Sequence, residues 1–101
     1  MHNFSDAGIS DELVNKLTDS YGQTIVDSLE ININNVYKVY KSLNMMGVKK
    51  VDDLLLGRAD LFLMDYEDFL NILEKKGIDN IADLLNEDLN NVNDIFFSDE
   101  D

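Results

Sequence analysis

Carboxylates are the chemistry this chain has most of: twenty-one acids against eight bases, one histidine and no cysteine. Adjacent pairs such as Asp52-Asp53 and Glu67-Asp68 are the first candidates for general acid–base work, in which one group holds a proton while its neighbour accepts one. Neighbouring side chains on a helix diverge by about 100°, so neither pair converges on a single substrate atom, and a solvated face is the simpler reading. Nucleophilic catalysis lacks its parts, because His2 is the sole imidazole and there is no thiol. The missing cysteine also excludes disulfides and thiolate zinc sites, and fits a reducing, cytoplasmic setting. The stretch from Asp88 to Asp94, DLNNVND, offers oxygen donors. It lacks the alternating spacing, sixth-place glycine and closing glutamate of a calcium loop. No phosphate-cradling glycine loop or dinucleotide fingerprint is present. The expectation is a protein that is not an enzyme and uses no cofactor or metal.

Charge points to binding instead. The net charge is −13, unevenly spread. Ile31 to Val51 contains no acid and carries Lys38, Lys41, Lys49 and Lys50; with +4 here, the other 80 residues hold −17. Such a field disfavours nucleic acid and anionic membranes as general partners. Within the acid-free stretch, Tyr37, Lys38, Tyr40 and Lys41 interleave rings with ammonium groups, joined by Lys49 and Lys50, the composition of a strip that tracks a nucleic-acid backbone. The alternative is a central helix whose lysines neutralise the acids of neighbouring helices.

The elements that must position these groups are helices. There is no proline, and Val36, Tyr37, Tyr40 and Leu43, then Leu70 and Leu73, then Ile78, Ile81, Leu84 and Leu85 recur at spacings of three and four. Ser10 caps a predicted helix reaching Asp19 with Leu13, Val14 and Leu17 inward, and a shorter turn holds Ile25, Val26 and Leu29. The next helix is predicted from Asn32 to Met46, with Gly47 at its left-handed end. Lys49 to Leu56 follows, stopped by Gly57, and Leu61-Phe62-Leu63 forms a short apolar turn. Asp65 then caps a helix to Gly77, with Asp68 placed for a capping box. Asp79 caps the last stretch, which carries Ile81, Leu84, Leu85, Leu89, Val92, Ile95 and Phe96. One domain over 1–97 is expected, with an acidic tail at 98–101. Met1 to Ser10 does not read as a secretory signal, and the longest apolar run, Leu61 to Met64, is too short to span a membrane.

A pattern recurs about 30 residues apart. LNMMGVKKVDDLL at 43–55 is answered by LEKKGIDNIADLL at 73–85, matching Leu43, Gly47, Val48, Val51, Asp53, Leu54 and Leu55 with Leu73, Gly77, Ile78, Ile81, Asp83, Leu84 and Leu85. Gly8-Ile9 opens a less regular first cycle, with Gly22 as a competing register. A fixed offset of this kind is the signature of stacked helical repeats. The expected fold is all-α: a small helical-repeat domain of about six to eight short helices in roughly two and a half repeats.

Gly8-Ile9, Gly47-Val48 and Gly77-Ile78, with the leucine pairs 54–55 and 84–85, Leu61-Phe62 and Phe69-Leu70-Ile72-Leu73, resemble the repeats of the mitochondrial transcription termination factor family. That resemblance implies stacked helical repeats in a curved nucleic-acid-binding solenoid. The chain departs from the family by lacking its mid-repeat proline and its basic surface. LEKKGIDNIADLLNEDLNNV also resembles the first half of a helix-hairpin-helix unit, as in the C-terminal domain of the RNA polymerase α subunit. In place of the glycine hairpin that meets phosphate, this chain has Asn90 and Asn91.

The functional expectation is a non-catalytic acidic regulator or inhibitor that binds another protein, presenting carboxylates to a basic, nucleic-acid-binding surface. Its contact residues are Asp52, Asp53, Asp60, Asp65, Glu67, Asp68, Asp79, Asp83, Glu87 and Asp88. Phe97 joins them as a docking residue, while Ile95 and Phe96 close the core. The competing classes are a nucleic-acid-binding repeat using Tyr37, Lys38, Tyr40, Lys41, Lys49 and Lys50, and a self-assembling structural module.

Overall fold

Caps and glycines cut the apolar pattern into short helices. The computed structural model describes Phe4 and residues 8–97; His2 and the acidic tail 98–101 fall outside the described residues. Among the described residues, eight α-helices run in order: α1 Asp11–Tyr21, α2 Gln23–Ile31, α3 Ile33–Met45, α4 Val51–Gly57, α5 Ala59–Leu63, α6 Tyr66–Lys76, α7 Ile78–Glu87 and α8 Val92–Phe96. A 3-10 turn, Leu89–Asn91, separates the last two, and the described residues contain no strand.

The caps are largely those expected from sequence. Ser10 Oγ accepts from the Leu13 N–H at 3.2 Å, relieving one of the orphan donors that open α1. Asp65 accepts from the Glu67 N–H at 3.2 Å and opens α6, so the bond falls on Glu67 rather than on Asp68 as the capping box required. Four places differ. The segment around Ile25 is a full helix, α2, and Leu61-Phe62-Leu63 belongs to the five-residue helix α5. Gly57 lies inside the end of α4 without a positive φ, and Arg58, whose φ of −142° and ψ of 70° are not helical, is the stop. Asp79 does not cap α7: Gly77 holds that place, and Asp79 sits in the first turn.

The core is wholly apolar among the described residues, with no buried polar or charged side chain. Burying these side chains, at roughly 25 cal/mol per Å² of apolar surface, is the main force that holds the helices together. Leu43, Leu54, Leu55, Phe62 and Phe69 are completely enclosed. The central helix α3 touches α2, α4, α5 and α6, while α6 carries α7 and α8 at the other end. The result is elongated, 37 × 25 × 24 Å. Tyr66, Phe69 and Phe96 stack in series, with centroids 6.1 and 5.4 Å apart, and tie α8 to α6. Lys76 Nζ then donates to the carbonyls of Asp94 and Ile95, at 3.2 and 2.7 Å, satisfying acceptors at the end of α8. Three positions of the apolar pattern are exposed instead of inward: Tyr37, Leu70 and Ile78.

Three asparagines fasten the loops. Asn35, within α3, donates to the Phe62 and Met64 carbonyls at 3.3 and 2.6 Å and accepts from the Tyr66 N–H at 2.9 Å, so it holds the α5–α6 connection. Asn86, near the end of α7, accepts from the Lys49 N–H at 2.8 Å and donates to the Gly47 carbonyl at 2.9 Å. Asn91 donates to the Leu84 carbonyl at 2.8 Å and folds the 3-10 turn back onto α7. Asn35 and Asn86 supply partners to loop backbone groups, while Asn91 adds a second donor to the Leu84 carbonyl, which also accepts from the Asp88 N–H at 3.0 Å.

Candidate functional site

Two surfaces are candidates: the carboxylates and the acid-free stretch. The ten acids proposed from sequence are all exposed. Asp52 and Asp53 lie in the first turn of α4, Asp60 in that of α5, Glu67 and Asp68 in that of α6, and Asp79 in that of α7. In the longer helices a carboxylate there meets the positive end of the backbone dipole, which gives it a local structural role. Asp65 and Asp88 act as caps, Asp88 accepting from the Asn90 N–H at 3.0 Å. That contact occupies with a carboxylate a backbone N–H that a helix-hairpin-helix would offer to phosphate.

Asp83 and Glu87 have no such role. With Asp79 they stand four residues apart along α7, opposite the buried Ile81, Ala82 and Leu85. The spacing sets the three in one exposed line. Like charges at this spacing destabilise a helix by a few tenths of a kcal/mol per pair. Among the described residues, the one ion pair joins Arg58 to Asp60 at 3.4 Å. The lysines of α3 therefore do not neutralise neighbouring acids as expected: Lys38 Nζ lies 5.7 Å from the Tyr66 ring centre and Lys41 Nζ 5.5 Å from that of Tyr37.

The acid-free stretch is drawn into a trough. Tyr37, Tyr40, Lys41, Asn44 and Met45 line a cavity of about 300 Å³. A neighbouring one of about 350 Å³ is lined by Tyr40, Asn44, Lys49, Lys50, Val51, Asp52 and Asp53. The two adjoin, sharing Tyr40 and Asn44 in their linings. Tyr40 is the fixed wall between them. Its hydroxyl donates to Asp52 Oδ1 at 2.6 Å, lies 3.4 Å from the Gly8 carbonyl oxygen, and its ring leans on Phe62 at 6.3 Å. Burial, then the hydrogen bond to Asp52 and that carboxylate's charge, push the Tyr40 phenol up to about 12. Met45, 77% exposed, forms the open lip. Five of the six residues proposed for the strip thus meet along one trough, together with Asp52 and Asp53 from the acidic set; Lys38 faces Tyr66 instead.

Phe97 is not a free docking residue. It is half-buried beneath Arg58, whose guanidinium carbon stands 3.9 Å from the ring centre. Ile95 and Phe96 are buried, as the core reading required. Sequence reading missed Arg58 and the asparagine clamps. Asparagine is a weak helix former, so Asn35 inside a helix and Asn86 near a helix end were the available signal.

No group of three or more metal-ligating side chains occurs among the described residues, and no described helix is long and apolar enough to cross a membrane. No protein-family model, curated protein or solved structure matches the chain. The likeness to the termination factor repeats stands on its quoted residues alone.

Proposed function

We propose that this chain is a non-catalytic acidic regulator that binds another protein through its carboxylates, on a scaffold of about two and a half helical repeats. The observation that carries the reading is the line Asp79–Asp83–Glu87 on α7, which costs helix stability and takes part in no ion pair among the described residues. A basic protein surface, such as one that binds nucleic acid, would relieve that repulsion and be drawn to it by the net charge of −13. The repeat reading is supported at Gly8 and Gly47, each at positive φ. The residue after each glycine, Ile9 or Val48, is buried and bonds the carbonyl five residues back, at 2.9 and 3.1 Å.

The test is a variant carrying Asp79→Asn, Asp83→Asn and Glu87→Gln. Its thermal stability should stay close to that of the parent, because relief of the like-charge repulsion offsets the loss of the Asp79 carboxylate at the helix start, and a basic partner captured by the parent at low salt should no longer be retained. Capture that is equal at low and high salt, or unchanged in the variant, overturns the proposal.

A further inference from the structure

We infer that the trough along α3 is a second docking site, one that takes a short acidic peptide segment with an aromatic or aliphatic anchor. Three features set that chemistry. The first cavity, about 300 Å³, is bounded by two tyrosine rings and the exposed Met45 thioether, which suits one large apolar side chain, methionine adapting to its shape. Lys41 rims that cavity, and Lys49 and Lys50 line the adjoining one, so the places beside the anchor call for carboxylates. All of these lie on the 21-residue stretch from Ile31 to Val51 that carries +4 in a chain of −13, the reverse of the charge elsewhere. The wall is also preset, because the Tyr40 hydroxyl is held by Asp52 at 2.6 Å before anything binds.

The same residues argue against a polyanion. Asp52 and Asp53 share the second cavity with Lys49 and Lys50, which limits how many negative groups the trough accepts. The −17 carried by the remaining 80 residues repels a long phosphate backbone within a Debye length of about 8–10 Å. A short segment with one anchor brings only a few carboxylates into that field, so it is repelled far less than a long phosphate backbone. The chain then has two faces of opposite chemistry, and the trough does not depend on the acidic line of α7.

The experiment uses a fluorescein-labelled peptide, Asp-Asp-Leu-Phe-Asp-Asp, with the full chain at low salt, read by polarisation. Saturable binding is expected, weakened at least about fivefold by Tyr37→Ala and by Lys41→Glu. Met45→Asp should weaken it similarly. Met45 is 77% exposed, so this substitution leaves the core intact. Replacing the probe's phenylalanine and leucine by alanine should abolish binding. Amide shifts in the spectrum of the labelled protein should centre on Tyr37, Lys41 and Met45. The inference is overturned if the probe fails to saturate, if the three variants bind as the parent does, or if the shifts centre on α7. It is equally overturned if oligothymidylate displaces the probe at equal or lower concentration.

Discussion

Two glycine junctions with nearly the same sequence fold differently. At the end of α3, the Gly47 N–H bonds the Asn44 carbonyl at 3.2 Å and the Val48 N–H bonds that of Leu43 at 3.1 Å, the paired bonds of a Schellman ending. Val48, 3% exposed, packs into the core with Leu43, and the chain runs on through Lys49 and Lys50 before α4 starts. At the end of α6 the Gly77 N–H bonds the Leu73 carbonyl at 2.9 Å, and α7 begins at once with Ile78, 49% exposed. The residues after each glycine account for the contrast. Lysines oppose the positive end of a helix dipole, so α4 waits until Val51 and takes Asp52 and Asp53 into its first turn. Asp79 suits a first turn, so α7 can begin directly after Gly77. One position after a shared glycine is core in one case and surface in the other.

The largest test of that contrast is a charge placed at both positions. Val48→Asp leaves a buried, unpaired carboxylate and should cost about 4 kcal/mol or more, or abolish folding. Ile78→Asp puts the same group at a half-exposed helix start and should cost only about 1 kcal/mol, for the apolar area that Ile78 covers. Urea unfolding of the pair measures both, and equal losses would erase the distinction.

Smaller effects should follow from the clamp that only one junction has been given. Asn86→Ala leaves the exposed Lys49 N–H and Gly47 carbonyl to water and should cost about 0.5–1.5 kcal/mol in the same assay. Asn80→Ala, on the exposed side of α7 beside Gly77, should be neutral or slightly stabilising, because alanine is the better helix former.

The two junctions should agree in one respect. Gly47 and Gly77 have φ of +98° and +91°, so alanine at either should cost about 1–2 kcal/mol through backbone strain alone. Gly57 has no such φ and open space around a would-be Cβ, so Gly57→Ala should raise stability by about 0.4–1 kcal/mol. Thermal melts of the three variants check the sign.

A pH-dependent effect lies beside the first junction, at Tyr40. Its folded phenol is pushed up to about 12, above the ordinary 10.0 of a tyrosine, so the unfolded chain loses this proton first. The contribution to stability is therefore complete below about pH 10 and is lost as pH rises toward 12. Phenolate absorbance should show one late-titrating tyrosine, and Asp52→Asn should bring it earlier by removing the carboxylate.

Much of the helix pattern was legible before any fold was known. Ser10, Gly47 and Asp65 mark boundaries through local backbone geometry, which depends on a few neighbouring residues. The miss at Asp79 was local too: Gly77 ends one helix and begins the next, leaving no residue between them for a side-chain cap. Tyr37, Leu70 and Ile78 share the apolar spacing and are nevertheless exposed, because spacing reports which residues share a face, not which face finds a neighbour. The sites divide the same way. The acid-free stretch was visible as composition, whereas its trough depends on Tyr40 reaching Asp52 across the turn into α4. Phe97 was misplaced because its cover, Arg58, lies 39 positions earlier in the chain.

The sequence by itself determined an all-α chain, the places where most helices start and stop, and a charge reversed over Ile31 to Val51, because propensity, capping and formal charge are properties of short segments. Only the tertiary structure decided that Val48 is buried and Ile78 is not, that Asn35 and Asn86 bind loops far from them in sequence, and that two tyrosines, a methionine and three lysines line one trough. Those outcomes depend on which groups are brought together from distant positions, where burial and the need to satisfy backbone hydrogen bonds select a single arrangement.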